Sequence, residues 1–176
     1  MPHCADFGPG DAVYSICHNC LNIIEETKSA VGVFSIWEAI AADPDFDFPD
    51  FHGRPAVLQD CWRSRKRPAE PEAVRSILGK MHVRWTEAPK AREQTDFCGN
   101  SLYRPQPPRN PRLAPAHYAR DIAGKFESHS SEEQRAIMQD YCKVFGNAKV
   151  VCYCHYCFEG LQNGGADGVH LAQWLF

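Results

Sequence analysis

An apolar, β-branched run leads directly into a Cys-His-x-Cys motif in the stretch KVVCYCHYCFEGL, residues 149–161. The run favours a strand, and the residues after the motif favour a helix. A near copy of this unit occupies residues 13–26, where VYSI precedes Cys17-His18-Asn19-Cys20 and a second helical segment follows. The chain therefore repeats one unit, which consists of a strand, a Cys-His-x-Cys turn and the start of a helix.

Other segments extend this alternation of strands and helices. The residues Val74, Ile77, Leu78 and Met81 share one helical face, and a second helix begins near Ser130. Alternating strands and helices predict an α/β fold, with a mostly parallel sheet flanked by helices, in a single domain over residues 1–176. The predicted strands are 13–16, 31–34, 55–58, 83–86 and 149–153.

Composition excludes several classes of protein. The 176 residues are 44% hydrophobic and 23% charged, which excludes a disordered chain. A net charge of -3 argues against bulk binding of nucleic acid. No apolar run approaches the roughly 18 residues of a membrane span. Residues 1–6 lack the basic and apolar regions of a secretory signal, so we expect a cytoplasmic protein.

The cysteines are the main chemical signal. There are nine, an odd number, and in a reducing compartment clustered cysteines hold metal or perform redox chemistry more often than they form disulfides. Two cysteines three positions apart at the start of a helix can direct both sulfurs at one point. The positive end of the helix dipole also stabilises thiolates.

Two single cysteines occupy similar places, because Cys61 ends the third strand and Cys98 follows the fourth. Loops that follow parallel strands gather at the carboxyl edge of the sheet, so we expect the thiols to converge there. Iron–sulfur clusters, a four-thiolate zinc site and a metal-free redox dithiol all use such residues. The candidate ligands are Cys17, Cys20, Cys61, Cys98, Cys154 and Cys157.

With these residues placed, the chain resembles the cysteine-rich CCG-domain family, whose members include heterodisulfide reductase and the iron–sulfur component of glycolate oxidase. Asp60-Cys61, Phe97-Cys98-Gly99 and the motif at 150–157 are similar to the second repeat of that family. Residues 13–26 are similar to the end of the first repeat. Phe97 replaces the first cysteine of the family's Cys-Cys-Gly, so the resemblance leaves Cys17 or Cys20 to supply that thiolate.

The resemblance implies a cytoplasmic redox protein with a [4Fe-4S] cluster, which is either of the non-cubane type found in heterodisulfide reductase or an ordinary cube. It implies a thiol or disulfide substrate or a redox partner protein, in a homo- or hetero-oligomer. Either an oxidoreductase or an electron-transfer component of one fits this description. The alternative is a zinc-stabilised module that binds a partner and has no redox activity.

Three further features bear on function. The basic run Arg63-Ser64-Arg65-Lys66-Arg67 is interpreted either as a solvated surface or as a docking patch for an anionic substrate or an acidic electron carrier. His18 and His155 are expected to hydrogen-bond sulfur or backbone rather than to bind metal. The proline-rich segment 104–115 is predicted to be an extended, semi-rigid excursion.

Overall fold

The computed structural model describes residues 7–105 and 107–176. Two sheets form, both entirely parallel. A small sheet pairs β1 (Ala12–Ser15) with β2 (Gly32–Ser35). The main sheet has the order β4-β3-β5-β6 and contains β3 (Pro55–Gln59), β4 (Arg84–Glu87), β5 (Lys149–Cys152) and β6 (Asp167–His170).

Helices separate the strands along the chain, which confirms the predicted α/β fold class. Within the described ranges, none of them has the length and apolar character needed to cross a membrane. The helices are α1 (His18–Thr27), α2 (Ile36–Ala42), α3 (Ala69–Lys80), α4 (Arg109–Leu113), α5 (Ser131–Cys142), α6 (His155–Asn163) and α7 (Leu171–Leu175).

All five predicted strands form, with ends shifted by about one residue. β6 has no counterpart in the prediction, because its sequence Asp167-Gly168-Val169-His170 has only one β-branched residue. It is extended because it pairs with β5 along its whole length. The sequence pattern also did not indicate that the first two strands form a sheet of their own.

The two helices identified from sequence form, and the helix identified by periodicity buries the predicted residues. The side chains of Val74, Ile77 and Leu78 in α3, and of Met81 directly after it, are fully buried, and Pro71 lies in the first turn, where its missing N–H costs nothing. Ser130 and Glu133 form a reciprocal capping box that begins α5.

The proline-rich segment departs from its prediction. Residues 109–113 form the helix α4 instead of extended chain, and Pro108 lies immediately before it. Proline disfavours the interior of a helix but suits its first residues, so closely spaced prolines here permit one short helix. The absence of a secretory signal is a prediction from residues 1–6. These residues and Gln106 lie outside the described part of the chain.

A close backbone contact fixes the loop that carries Cys98. Gly99 has a φ of +51°, and a Cβ at this position would lie 1.8 Å from the carbonyl oxygen of Tyr156. A Cβ on Gly160 would lie 2.4 Å from the Cα of Gly99. The loop therefore rests directly on α6 because neither glycine has a side chain.

We expect Gly99→Ala to lower the free energy of unfolding by more than about 2 kcal/mol, since the new methyl group displaces α6 as well as straining φ. Urea denaturation followed by circular dichroism measures the loss. Gly124→Ala is the matched control, because Gly124 also has a positive φ but open space around it, and should cost about 1 kcal/mol. Equal losses in the two variants would contradict the close contact.

Candidate metal centre

Four of the six candidate cysteines form one compact, buried group. The Sγ atoms of Cys61, Cys98, Cys154 and Cys157 all lie within 4.8 Å of one another, and each residue is at most 1% exposed. The Sγ atoms of Cys61 and Cys98 are 3.6 Å apart. Buried thiols at these separations make a site that can bind a metal ion.

The register of the main sheet explains why Cys61 and Cys154 meet. β3 and β5 are neighbouring parallel strands in which Gln59 pairs with Cys152. Cys61 lies two residues after Gln59, and Cys154 lies two residues after Cys152. Both cysteines therefore lie side by side at the same edge of the main sheet. Cys154 is the N-cap residue of α6, and Cys157 lies in the first turn of that helix.

Cys98 reaches the group from the long loop after β4. The N–H of Trp62 donates to the carbonyl of Phe97, 2.8 Å away, which holds this loop against the residue after Cys61. Cys98 then begins the short 3₁₀ turn Gly99–Leu102, which packs on α6. Three segments far apart in sequence therefore supply the four thiols.

Cys17 and Cys20 are not members of this group, although α1 begins as predicted. Cys17 is half-buried and Cys20 is exposed on α1. Their helix follows β1, a strand of the small sheet, and not a strand of the main sheet that carries Cys61 and Cys154. The expected convergence of six thiols is thus a convergence of four. Cys142 and Cys152 are buried elsewhere in the core.

The first motif contributes its histidine instead. The imidazole of His18 is 3% exposed and lies close enough to the Cys154 sulfur for the two to shift each other's pKa. Its Nε2 lies 3.0 Å from the buried carboxylate of Glu70, which also accepts a 2.7 Å hydrogen bond from the hydroxyl of Ser35. His155 is exposed, so only one of the two motif histidines reaches a sulfur of the site.

His18 is held as a cation. Burial disfavours the charged imidazolium, but the Glu70 carboxylate and the Cys154 sulfur outweigh burial and raise the pKa of His18 to about 10. The pKa of the neighbouring Cys154 thiol is shifted in the opposite direction. The neighbouring thiols of Cys157, Cys61 and Cys98, together with His18, hold the pKa of Cys154 well below its ordinary value. Burial raises the pKa of Cys157 well above its ordinary value.

Further donors point at the sulfurs. The backbone N–H of Arg63 donates to Cys61 Sγ over 3.4 Å, and the hydroxyl of Ser101 donates to Cys98 Sγ over 2.9 Å. The Arg63 guanidinium is buried nearby, and the negative charge of Cys98 helps to raise its pKa against the effect of burial. Hydrogen bonds and cations around thiolates are the means by which a protein tunes a bound metal.

The charged groups around the four sulfurs favour a metal centre whose net charge is negative. Four thiolates around a divalent ion, or around a cluster core of charge +2, carry a total charge of -2. The buried cations His18 and Arg63 offset part of that charge, since the positive charge of His18 is also paired with the Glu70 carboxylate. Buried charge is costly unless it is paired, so the positive charge of Arg63 favours an anionic centre over four neutral thiols.

Four residues of the surrounding network were not identified from sequence. Tyr153 donates to Asp60 Oδ1 over 2.9 Å, and the hydroxyls of Tyr153 and Ser64 are 2.7 Å apart. Asp60 is also paired with Arg75, at 2.7 Å. The position of Asp60 next to Cys61 was the only sequence signal for this network, since its other members contact it from distant segments.

No family model, curated protein or solved structure matches this chain. The resemblance to the CCG-domain family therefore stays a prediction that rests on the spacing of the motifs. The site itself is defined by the structure alone, as four buried cysteines able to hold a metal.

Serine substitution separates the four buried thiols from the others. We expect Cys61→Ser, Cys98→Ser, Cys154→Ser and Cys157→Ser each to lower bound metal by at least about tenfold, because removal of one thiolate leaves an incomplete site. Metal content of the purified variants, measured by plasma mass spectrometry, gives the result. Cys17→Ser and Cys20→Ser are matched controls that should retain metal; loss of metal in either would return that residue to the ligand set.

Proposed function

We propose that the four cysteines hold an iron–sulfur centre and that the protein uses it for electron transfer linked to thiol and disulfide chemistry. The observation that carries this proposal is the pair of hydrogen-bond donors directed at the sulfurs, the Arg63 backbone N–H and the Ser101 hydroxyl, with the buried cations His18 and Arg63 nearby. A purely structural metal needs closed coordination, whereas an electron carrier also needs an environment that sets its potential. The resemblance stated above adds support from the order of the motifs.

The chain's own residues would perform three tasks. Cys61, Cys98, Cys154 and Cys157 would bind the centre, which supplies electrons one at a time when it is present. His18 and Ser101 would hold negative charge on the sulfurs by hydrogen bonding. The buried position of all four thiols would keep water away from them.

The overall reaction would consume two electrons and two protons for each disulfide and release two thiols. A redox partner protein would supply the electrons. For that partner to act, electrons must pass from the surface to the centre, and the cleft beside Cys98 offers an approach to it. This cleft has a volume of about 460 Å³ and is lined by Phe97, Tyr141, Lys90 and Lys125, among others.

A second candidate is a zinc-stabilised binding module, and one observation favours it. A tetrahedral ion with metal–sulfur bonds of about 2.3 Å spaces its sulfurs about 3.8 Å apart. The 3.6 Å between Cys61 and Cys98, within a group spanning 4.8 Å, is close to this spacing. A cluster of several irons lies between its cysteines and spaces them more widely, so the compact group suits a single ion.

Metal analysis decides between the two candidates. Anaerobic purification should give a coloured protein with about four irons and four sulfides per chain, measured with zinc on the same sample. Visible absorption and electron paramagnetic resonance of the reduced protein would then identify the type of cluster. One zinc per chain with no visible absorption would overturn the redox proposal and leave the zinc module.

The two motif histidines provide a matched pair for the redox proposal. We expect His18→Gln to lower the reduction potential on the order of tens of millivolts, because loss of a buried positive charge disfavours the more negative reduced state. His155→Gln should leave the potential unchanged, since His155 is exposed. Potentiometric titration of the two variants and the unchanged protein makes the measurement. An equal shift in both variants would contradict the assigned role of His18.

A further inference from the structure

A basic pocket lies on the surface beside the buried guanidinium of Arg63. It has a volume of about 230 Å³ and is formed by the loop before α3, by α1 and by the π-helical turn Ala116–Arg120. Five cationic side chains and two carboxylates line it, so the lining carries a net charge of +3 with His117 neutral. The charged lining residues are Arg63, Arg65, Lys66, Arg67, Arg120, Glu25 and Asp121.

Two of the cations already neutralise the two carboxylates. Lys66 Nζ lies 2.6 Å from Asp121 Oδ2, and Arg67 Nη2 lies 2.7 Å from Glu25 Oε2. The excess positive charge therefore belongs to the three remaining arginines. They come from two segments of the chain, residues 63–65 and the turn that ends at Arg120, and the fold brings these segments to one pocket.

Arg63 is the most unusual of the three. Its side chain is only 7% exposed, and its Nε–H has no hydrogen-bond partner among the described residues. The guanidinium carbon lies 5.5 Å from the ring centre of Tyr118 and 5.6 Å from that of Phe126, so aromatic faces fix its position. Nε has almost no accessible surface, so an acceptor in the basic pocket can meet only the remaining part of this guanidinium, whose positive charge lines the pocket.

Arg65 and Arg120 line the same pocket and supply further N–H donors for an acceptor bound there. The guanidinium of Arg65 stacks on Trp62 with 4.1 Å between its carbon and the ring centre, and one of its terminal nitrogens donates to the Asp121 carbonyl over 3.4 Å, which holds the group at the pocket. Arg120 Nε is 4.0 Å from Asp121, whose carboxylate already binds Lys66. Arg120 is mostly exposed and able to turn toward a ligand.

We propose that the basic pocket binds one small oxyanion, a phosphate or the phosphate group of a small organic molecule, through Arg63, Arg65 and Arg120. Planar guanidinium groups pair two N–H donors with two oxygens, and a tetrahedral oxyanion offers oxygens in several directions. The volume suits a group of that size with a short organic tail. The inference holds for either metal at the four cysteines, so it stands apart from the proposed redox function.

Isothermal titration calorimetry of the purified protein with inorganic phosphate, at constant ionic strength, tests the proposal. We expect saturable binding of one phosphate per chain. Arg65→Gln and Arg120→Gln should each weaken binding about tenfold, because each removes a charge-assisted pair of hydrogen bonds. Lys143→Gln is the matched control: it removes one charge from an exposed residue of another surface and should leave the affinity unchanged.

Arg63→Lys tests the buried residue with its charge kept. We expect weaker phosphate binding in a protein whose circular dichroism and bound metal are unchanged. Methyl phosphate distinguishes the free phosphate ion from a phosphate ester as the ligand. If methyl phosphate binds as tightly as inorganic phosphate or more tightly, the ligand is a phosphate ester. If only inorganic phosphate binds, the ligand is the free ion. Non-saturating heats with both probes, or the same affinity in Arg65→Gln and Arg120→Gln as in Lys143→Gln, would overturn the proposal.

Discussion

The buried carboxylate of Asp60 is the constraint on which the rest of the site depends. Asp60 is fully buried and accepts hydrogen bonds from both terminal nitrogens of Arg75, from the Tyr153 hydroxyl and from the backbone N–H of Arg92. These partners come from α3, from the end of β5 and from the loop after β4. One carboxylate thus ties together the segments that carry Cys61, Cys154 and Cys98. A buried ion pair is seldom the most stabilising choice for a core, but it fixes positions, because either partner left alone is strongly unfavourable.

Charge balance links this framework to the chemistry of the site. His18 and Arg63 bring two positive charges to a region where four thiols would become thiolates on binding metal. The same residues connect the site outward in two directions. Through Glu70 and Ser35, His18 joins the small sheet to α3, while Arg63 donates its backbone N–H to Cys61 Sγ and lines the basic pocket with its side chain.

The sequence predicted the elements well where local patterns are strong. Helical periodicity located α3, a capping box located the start of α5, and β-branched runs located five strands. The same reasoning identified Cys61, Cys98, Cys154 and Cys157, because a cysteine after a strand of a parallel sheet is carried to the sheet's edge. It failed for α4, where prolines suggested extended chain, and for β6, which is a strand only because β5 pairs with it.

By itself, then, the sequence determined the alternation of strands and helices, the parallel pairing and the cysteine-bearing turns, since each depends on residues near one another in the chain. Tertiary structure decided which of two similar motifs supplies sulfur and which supplies a histidine. Both motifs follow a strand and begin a helix, but β1 lies in the small sheet and β5 in the main sheet, where β3 lies beside it in register. The choice is physical: thiols meet where neighbouring strands end together, and strand order is a long-range property that no local pattern encodes.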